Sequence, residues 1–229
     1  MRKEGFTLAE VLITVAIIGV VAALSIPQFT AEIYNKSNAS KLSTIVTNYE
    51  DVFGMMLLRE DRENIFETNF GTALSTANNE QNFNDRLSAY TNISRTGTNL
   101  TENLGYSGGI ANINGEAPEL PQFRYGAVTP GGALLMFAAP TQSTSIVHID
   151  VNGPTQPNRY GRDVFTFVLA QDGHLYPYGS RQAAIVLVQD ASQTWDNSST
   201  DAAYRCTGSG YTGQGCTARL IENNYNVDY

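Results

Sequence analysis

The first twenty-seven residues constrain this chain more than any others. Met1 to Gly5 form a short leader with two basic residues, Arg2 and Lys3, and an apolar stretch follows from Phe6 to Ile26. That stretch holds a single charge, Glu10. As a helix rising about 1.5 Å per residue it is roughly 31 Å long, enough to cross the ~30 Å hydrocarbon core of a bilayer. A secretory signal has a shorter apolar region, followed by its small-residue cleavage site. Here the small residue, Gly5, precedes the apolar stretch. Cleavage at Gly5 therefore leaves the membrane segment on the mature chain.

Glu10 needs its own account. A carboxylate inside a lipid-spanning helix costs about 2.5–3.5 kcal/mol on insertion scales, so such residues are usually partnered and functional. A Glu snorkelling towards the headgroups at the end of a plain anchor is the bland alternative. It leaves the basic leader and the Gly5-Phe6 junction unexplained.

The arrangement resembles the type IV pilin family, including the pseudopilins of type II secretion, at Gly5, Phe6, Thr7, Leu8 and Glu10, continuing through Gly19 to Pro27. The likeness is close over about the first 50 residues and loose beyond them. It implies cleavage between Gly5 and Phe6 by a prepilin peptidase, which also N-methylates the new amino terminus on Phe6. It further implies that Glu10 pairs with the Phe6 ammonium of a neighbouring subunit, and that Gly19 and Pro27 belong to the assembly helix. The implied partners are other copies of the chain and other pilins in a helical filament, membrane lipid before assembly, and an inner-membrane platform driven by a cytoplasmic ATPase. The implied location is the bacterial inner membrane, single pass with the head outside the cytoplasm, and then a surface or periplasmic filament. A rival reading from another class is an anchored adhesive or binding protein that never polymerises; it needs neither leader cleavage nor Glu10.

Composition fits export. Net charge is −8, and removing the leader takes away two positive side chains and one negative, leaving −9. Such an acidic chain lacks the clustered Lys and Arg that a nucleic-acid footprint needs. Cys206 and Cys216 are the only cysteines, and no other ligand residues cluster around them. Outside the cytoplasm they read as a disulfide.

Beyond Pro27, Leu42, Ile45, Val46, Tyr49, Val52, Phe53 and Met56 recur at three- and four-residue spacing, one apolar stripe on a helix. The spacing predicts one long helix from about Phe6 to Arg59, kinked or locally melted near Gly19 to Pro27. Residues 61–122 are rich in Asn, Thr, Ser and Gly; a short helix at Asn82 to Tyr90 is expected there, and loops elsewhere. Four or five strands follow. Gln122 to Val128 and Ala133 to Ala139 form a hairpin about a Thr-Pro-Gly-Gly turn, Ser145 to Val151 alternates, and Val164 to Ala170 turns back into Leu175 to Tyr178. The expected fold class is α+β: a helical spine packed on a small antiparallel β-sheet head with a C-terminal disulfide loop. The divisions are a leader at 1–5, a membrane or filament-core half-helix at 6–27, an amphipathic half at 28–60 and a head at 61–229.

One loop of the head draws notice. Asp150, Asn152, Asn158 and Asp163 are oxygen donors in a segment bent by Gly153, Pro154, Pro157 and Gly161. Such a loop suits Ca²⁺, which takes six to eight oxygen ligands in flexible geometry, and Asp150, Asn152 and Asp163 are the candidate ligands. It is not an EF-hand, since the glycine comes too early and no closing Glu follows. The alternative is a β connection rich in Asx turns, whose carboxylates accept backbone N–H bonds. Catalytic motifs are missing. His148 falls on a strand, where a structural or surface role is expected, and His174 follows a turn; Asp196 and Asp201 sit in a Ser/Asn-rich loop that reads as solvated. The sequence therefore points to a non-enzymatic filament subunit that requires no cofactor, with Ca²⁺ as the one candidate ligand.

Overall fold

The computed structural model describes residues 7–106, 108–116, 121–188, 206 and 212–227, the side chains at 27, 28 and 31 excepted. The leader, the Gly5-Phe6 junction, Trp195, Asp196 and Asp201 lie outside the described residues.

Helix α1, Leu8–Glu60, is 53 residues long, about 80 Å at the α-helical rise. It is α-helical throughout, so the local melting expected near Gly19 to Pro27 is not seen. A proline inside a helix removes one backbone hydrogen bond, and the turns on either side carry the helix past it. Asp61 ends α1 in the left-handed region, its N–H donating to the Leu57 carbonyl.

The expected stripe is the helix's buried face: Leu42, Val46, Tyr49, Val52, Phe53 and Met56 are all buried, with Ile45 half-buried at its edge. Burial begins at Asn38 and Ala39; before them no described side chain of α1 is buried. The helix thus divides into a packed half and a half that leaves the head unaccompanied.

Among the described residues six strands form one antiparallel sheet in strict chain order: β1 Arg95–Gly97, β2 Tyr125–Val128, β3 Leu134–Phe137, β4 Thr144–Asp150, β5 Val164–Ala170 and β6 Leu175–Pro177. The expected four or five strands are all present, and β1 is the addition. The longest ladder joins β4 to β5, from Thr144 opposite Ala170 to Asp150 opposite Val164. One face of the sheet, with Tyr125, Leu135, Phe137, Val147, Ile149, Phe165, Phe167 and Leu169, packs with the α1 stripe. At the centre Phe70 lies 5.6 Å from Phe53, 5.9 Å from Phe83 and 5.8 Å from Phe137, ring to ring.

Residues 61–122 contain more structure than their composition suggests. A 3-10 turn at Ile65–Glu67, α2 at Asn69–Ser75 and α3 at Glu80–Ser88 put Ile65, Phe70, Leu74, Phe83 and Leu87 into the main core. The α3 helix is the one expected at Asn82 to Tyr90; the rest was expected to be loop. Further on, Leu100, Leu104, Tyr106 and Ile110 cover the second face of the sheet, against Val128, Leu134, Met136 and Val164. The sheet is therefore buried on both sides, which is why nearly every residue of β4 and every residue of β5 is buried rather than alternately exposed. His148 is buried on this second face and shares a 3.0 Å hydrogen bond with the Thr166 hydroxyl. Burial pulls its imidazole down to about 4, so it stays neutral.

Helix α4, Arg181–Val188, and α5, Cys216–Glu222, complete the head. The Cys206–Cys216 disulfide is formed. It ties α5 beside the turn at Gly161, where a Cβ would come within 2.8 Å of the Cys216 Cβ and where φ is +78°. Both facts demand glycine there.

Candidate functional site: the exposed helix and the loop at its exit

The free half of α1 starts with a reciprocal cap. The Thr7 hydroxyl accepts from the Glu10 N–H at 3.3 Å, while Glu10 Oε2 accepts from the Thr7 N–H and the Thr7 hydroxyl, both at 2.8 Å. This is a capping box, Thr-x-x-Glu, and it satisfies donors that the first turn would otherwise leave orphaned. The box holds the Glu10 carboxylate on Thr7, at the start of the helix. From there Leu8–Ile26 is long and apolar enough to cross a membrane, and none of it is buried. Val11, Leu12, Ile13, Val15, Ile17 and Ile18 are all more than two-fifths exposed. At Gly19 an added Cβ would meet nothing within 4 Å, so the glycine opens a bare notch in this surface.

At the point where the helix leaves the head, the loop between β4 and β5 reaches across to it. The Asn152 amide donates to the Tyr34 hydroxyl at 2.6 Å, and the Asn38 amide donates to the Arg162 carbonyl at 3.2 Å. Tyr34 and Asn38 are four residues apart, hence on one face of α1. Asp150 ends β4 and Asp163 precedes β5, so the ladder itself brings the two carboxyls to the neck of the loop; there the Val151 N–H donates to the Asp163 carbonyl. Asp163 Oδ1 accepts from the Arg159 N–H at 2.6 Å, and Oδ2 from the Asn152 amide at 3.4 Å. Asp150 Oδ1 accepts from the Asn152 N–H at 3.2 Å. Both carboxyls are fully buried, at 0% and 1% exposure. Burial, reinforced by the neighbouring Asp163, pushes Asp150 well above the usual carboxylate range. Burial also lifts Asp163 to about 6, against the pull of its backbone and Asn152 hydrogen bonds.

Residues 1–26 match the prokaryotic N-terminal methylation motif. The chain carries the type IV pilin and pseudopilin signature. No solved structure matches it. The pilin motif implies processing by a prepilin peptidase and assembly with other pilins. Together with the exposed apolar helix it suggests membrane anchoring, and it suggests a structural protein rather than a catalyst.

In this pilin-like chain the capping role of Glu10 was readable as Thr7 followed three residues later by an acid, a pattern the intramembrane charge overshadows. Glu10 and Gly19 stand on the exposed half of α1, and Pro27 lies within the same helix. Asp150, Asn152 and Asp163 do converge. Much of their bonding is of the Asx-turn kind, carboxylate to backbone N–H. Sequence reading missed Tyr106, a fully buried phenol in the covering segment 99–113, which lies against Asp150. No local pattern marks it, because its position is set by the pairing of Ala111 with Asn158 and Tyr160 across the sheet face. Among the described residues no group of three or more His, Cys, Asp or Glu side chains converges.

Proposed function

We propose that this chain is a structural subunit, pilin or pseudopilin, of a type IV pilus or type II secretion filament assembled from the bacterial inner membrane. The observation that carries the reading is a methylation motif joined to a 19-residue apolar helix with no side chain buried by its own head. An apolar surface of this length needs a partner in every state of the protein. Lipid supplies it before assembly, and the same helices of neighbouring subunits supply it in the filament. Removing residues 1–5 frees an ammonium on Phe6, and Glu10 of an adjoining subunit neutralises it as the helices pack. The capping box is the resting arrangement of Glu10, holding its carboxylate at the helix start until that partner arrives. The head, reached through the packed half of α1, forms the filament's outer surface. Extraction from the membrane falls to an assembly platform driven by a cytoplasmic ATPase, and no catalytic role is assigned.

Two measurements test this. Intact mass spectrometry of the membrane-extracted protein should give a chain starting at Phe6 with one added methyl, and the unprocessed chain in cells lacking the prepilin peptidase. An intact amino terminus in both strains would move the non-polymerising anchored binding protein to first place. Glu10→Val should insert in the membrane normally but enter filaments poorly; normal incorporation sinks the pairing argument.

A further inference from the structure

The exposed apolar surface of α1 runs on past Ile26 through Phe29, Ile33 and Tyr34, each more than two-fifths exposed. Among the described residues of the helix no further large apolar side chain is exposed until Met55. Leu8 to Tyr34 is 27 residues, about 40 Å of helix, which matches a bilayer with its headgroups (~40–45 Å) rather than the hydrocarbon core alone. Tyr34 thus stands at headgroup level, where a ring with a polar tip is at home. Its hydroxyl accepts from the Asn152 amide, which ties the loop between β4 and β5 to the same level. Charge is graded along this axis. The loop's two acids, Asp150 and Asp163, are buried, whereas the Arg159 side chain is half-exposed. Lys41 is exposed on the face of α1 that carries Tyr34 and Asn38, and helical side chains lean towards the N-terminus, here towards the membrane. Among the described residues neither Lys41 nor Arg159 has an ion-pair partner. Lys36, on the other side of the helix, meets Glu32 at 2.6 Å in an exposed pair of the kind that adds little. The acids Glu60, Asp61, Glu63 and Asp172 gather at the far end, where the β5–β6 turn packs on Phe53 and Leu57.

We infer that the head docks on anionic phospholipid headgroups through a neck surface formed by Lys36, Lys41 and Arg159 around Tyr34, so that the stored subunit stands upright on the membrane. The partner follows from continuity and charge: the neck begins where the apolar surface ends, and phosphodiester oxygens are the acceptors that guanidinium and ammonium groups take. The chain's net charge of −9 without its leader argues the other way, but distance decides. Glu60 lies 26 residues beyond Tyr34, about 39 Å of helix, against a screening length of ~8 Å at physiological salt. Only the neck is close enough to feel the surface, and each cation there strengthens binding about fivefold. This inference rests on the membrane-anchored stage of the function proposed above, and it adds what holds the head down. Extraction of the subunit then has to break these contacts, so the anionic lipid content of the membrane sets how firmly it is held.

The test reconstitutes the full-length chain in phosphatidylcholine vesicles carrying a trace of spin-labelled phosphatidylglycerol or spin-labelled phosphatidylcholine. Electron paramagnetic resonance then gives the relative association of the two labels with the protein. The wild type should prefer phosphatidylglycerol at low salt and lose the preference in 1 M NaCl, where the screening length is ~3 Å. Lys41→Gln and Arg159→Gln should each lower the preference, by up to about fivefold, while Arg62→Gln at the far end leaves it unchanged. Arg2 and Lys3 are the same in every sample, so their own attraction cancels in the comparison. Hydrogen exchange on the wild type alone should slow at residues 153–162 when the vesicles contain phosphatidylglycerol, which covers the case of a variant that fails to fold. A chain that inserts but associates equally with both labels would overturn the inference and leave the anchored reading standing; a chain that never enters the vesicles would overturn both. A preference that both Gln variants retain in full, with weaker self-association in detergent, would overturn it too, by assigning these cations to the acidic end of a second copy.

Discussion

Ionising Asp163 costs the fold stability, and the cost has a definite pH window. Burial holds this carboxyl at about 6, against an ordinary value of 3.8. A shift of about two units at ~1.4 kcal/mol per unit amounts to about 3 kcal/mol. The folded value lies above the unfolded one, so between roughly pH 4 and 6 the fold keeps a proton that the unfolded chain has given up. The stability from this group is complete below the unfolded value and is lost as pH rises through about 6. Asp150, also raised and facing the same neighbours, acts in the same direction. For a chain of this size, about 3 kcal/mol corresponds to roughly 6–12 °C in melting temperature. The assay is thermal unfolding of the full-length protein in detergent and EDTA, from pH 4 to pH 7, for wild type and Asp163→Asn. Asparagine keeps an acceptor oxygen for the Arg159 N–H but does not titrate. The wild type should therefore lose stability relative to the variant across the window, by about the stated amount. Parallel curves would refute the reasoning, because they would mean that Asp163 ionises in the fold as freely as in the unfolded chain.

Two further outcomes follow from packing and from the disulfide. Phe70→Ala removes the ring at the centre of the aromatic cluster joining α1, α2, α3 and the sheet, and should cost about 3–5 kcal/mol in urea unfolding; Leu58→Ala, 83% exposed on the same spine, should stay within about 0.5 kcal/mol. Equal losses would mean that the head does not fold around Phe70. Cys206→Ser with Cys216→Ser opens the short covalent loop over the Gly161 turn and should cost about 3 kcal/mol in the chain-entropy model, read by the same unfolding curves; an unchanged midpoint would show that the bridge adds nothing to the packing of α5.

The parts of the fold legible in the sequence are those where one periodicity or one turn decides the outcome. The helical stripe from Leu42 to Met56, the Thr129–Gly132 hairpin turn and the run Val164 to Ala170 each occur with the expected element, β5 to the residue. Residues 61–122 were opaque because their helices are too short for their few core residues, two or three each, to show a helical period. Phe70 and Phe83 find their places through tertiary packing rather than through local pattern. The strand β1, three residues long, has no apolar alternation to announce it and exists because Arg95 to Gly97 can pair with the edge of β2. At the candidate site, the oxygen-rich loop was visible as a composition, but Tyr106 was not, since its approach to Asp150 depends on how a distant covering segment lies across the sheet. The methylation motif at residues 1–26 was the most legible of all, because it is written in order along the chain rather than in folded geometry.

The sheet's strand order has a consequence for how the head is made. Each strand pairs with the one synthesised just before it, from β1 through β6, so no edge waits for a partner encoded far downstream. Pairing between sequence neighbours closes short loops and favours rapid folding. A chain anchored by its first helix can thus assemble its head strand by strand as it emerges, presenting few unpaired edges to other chains. The last piece to arrive, α5 with its disulfide, then locks a sheet that is already complete.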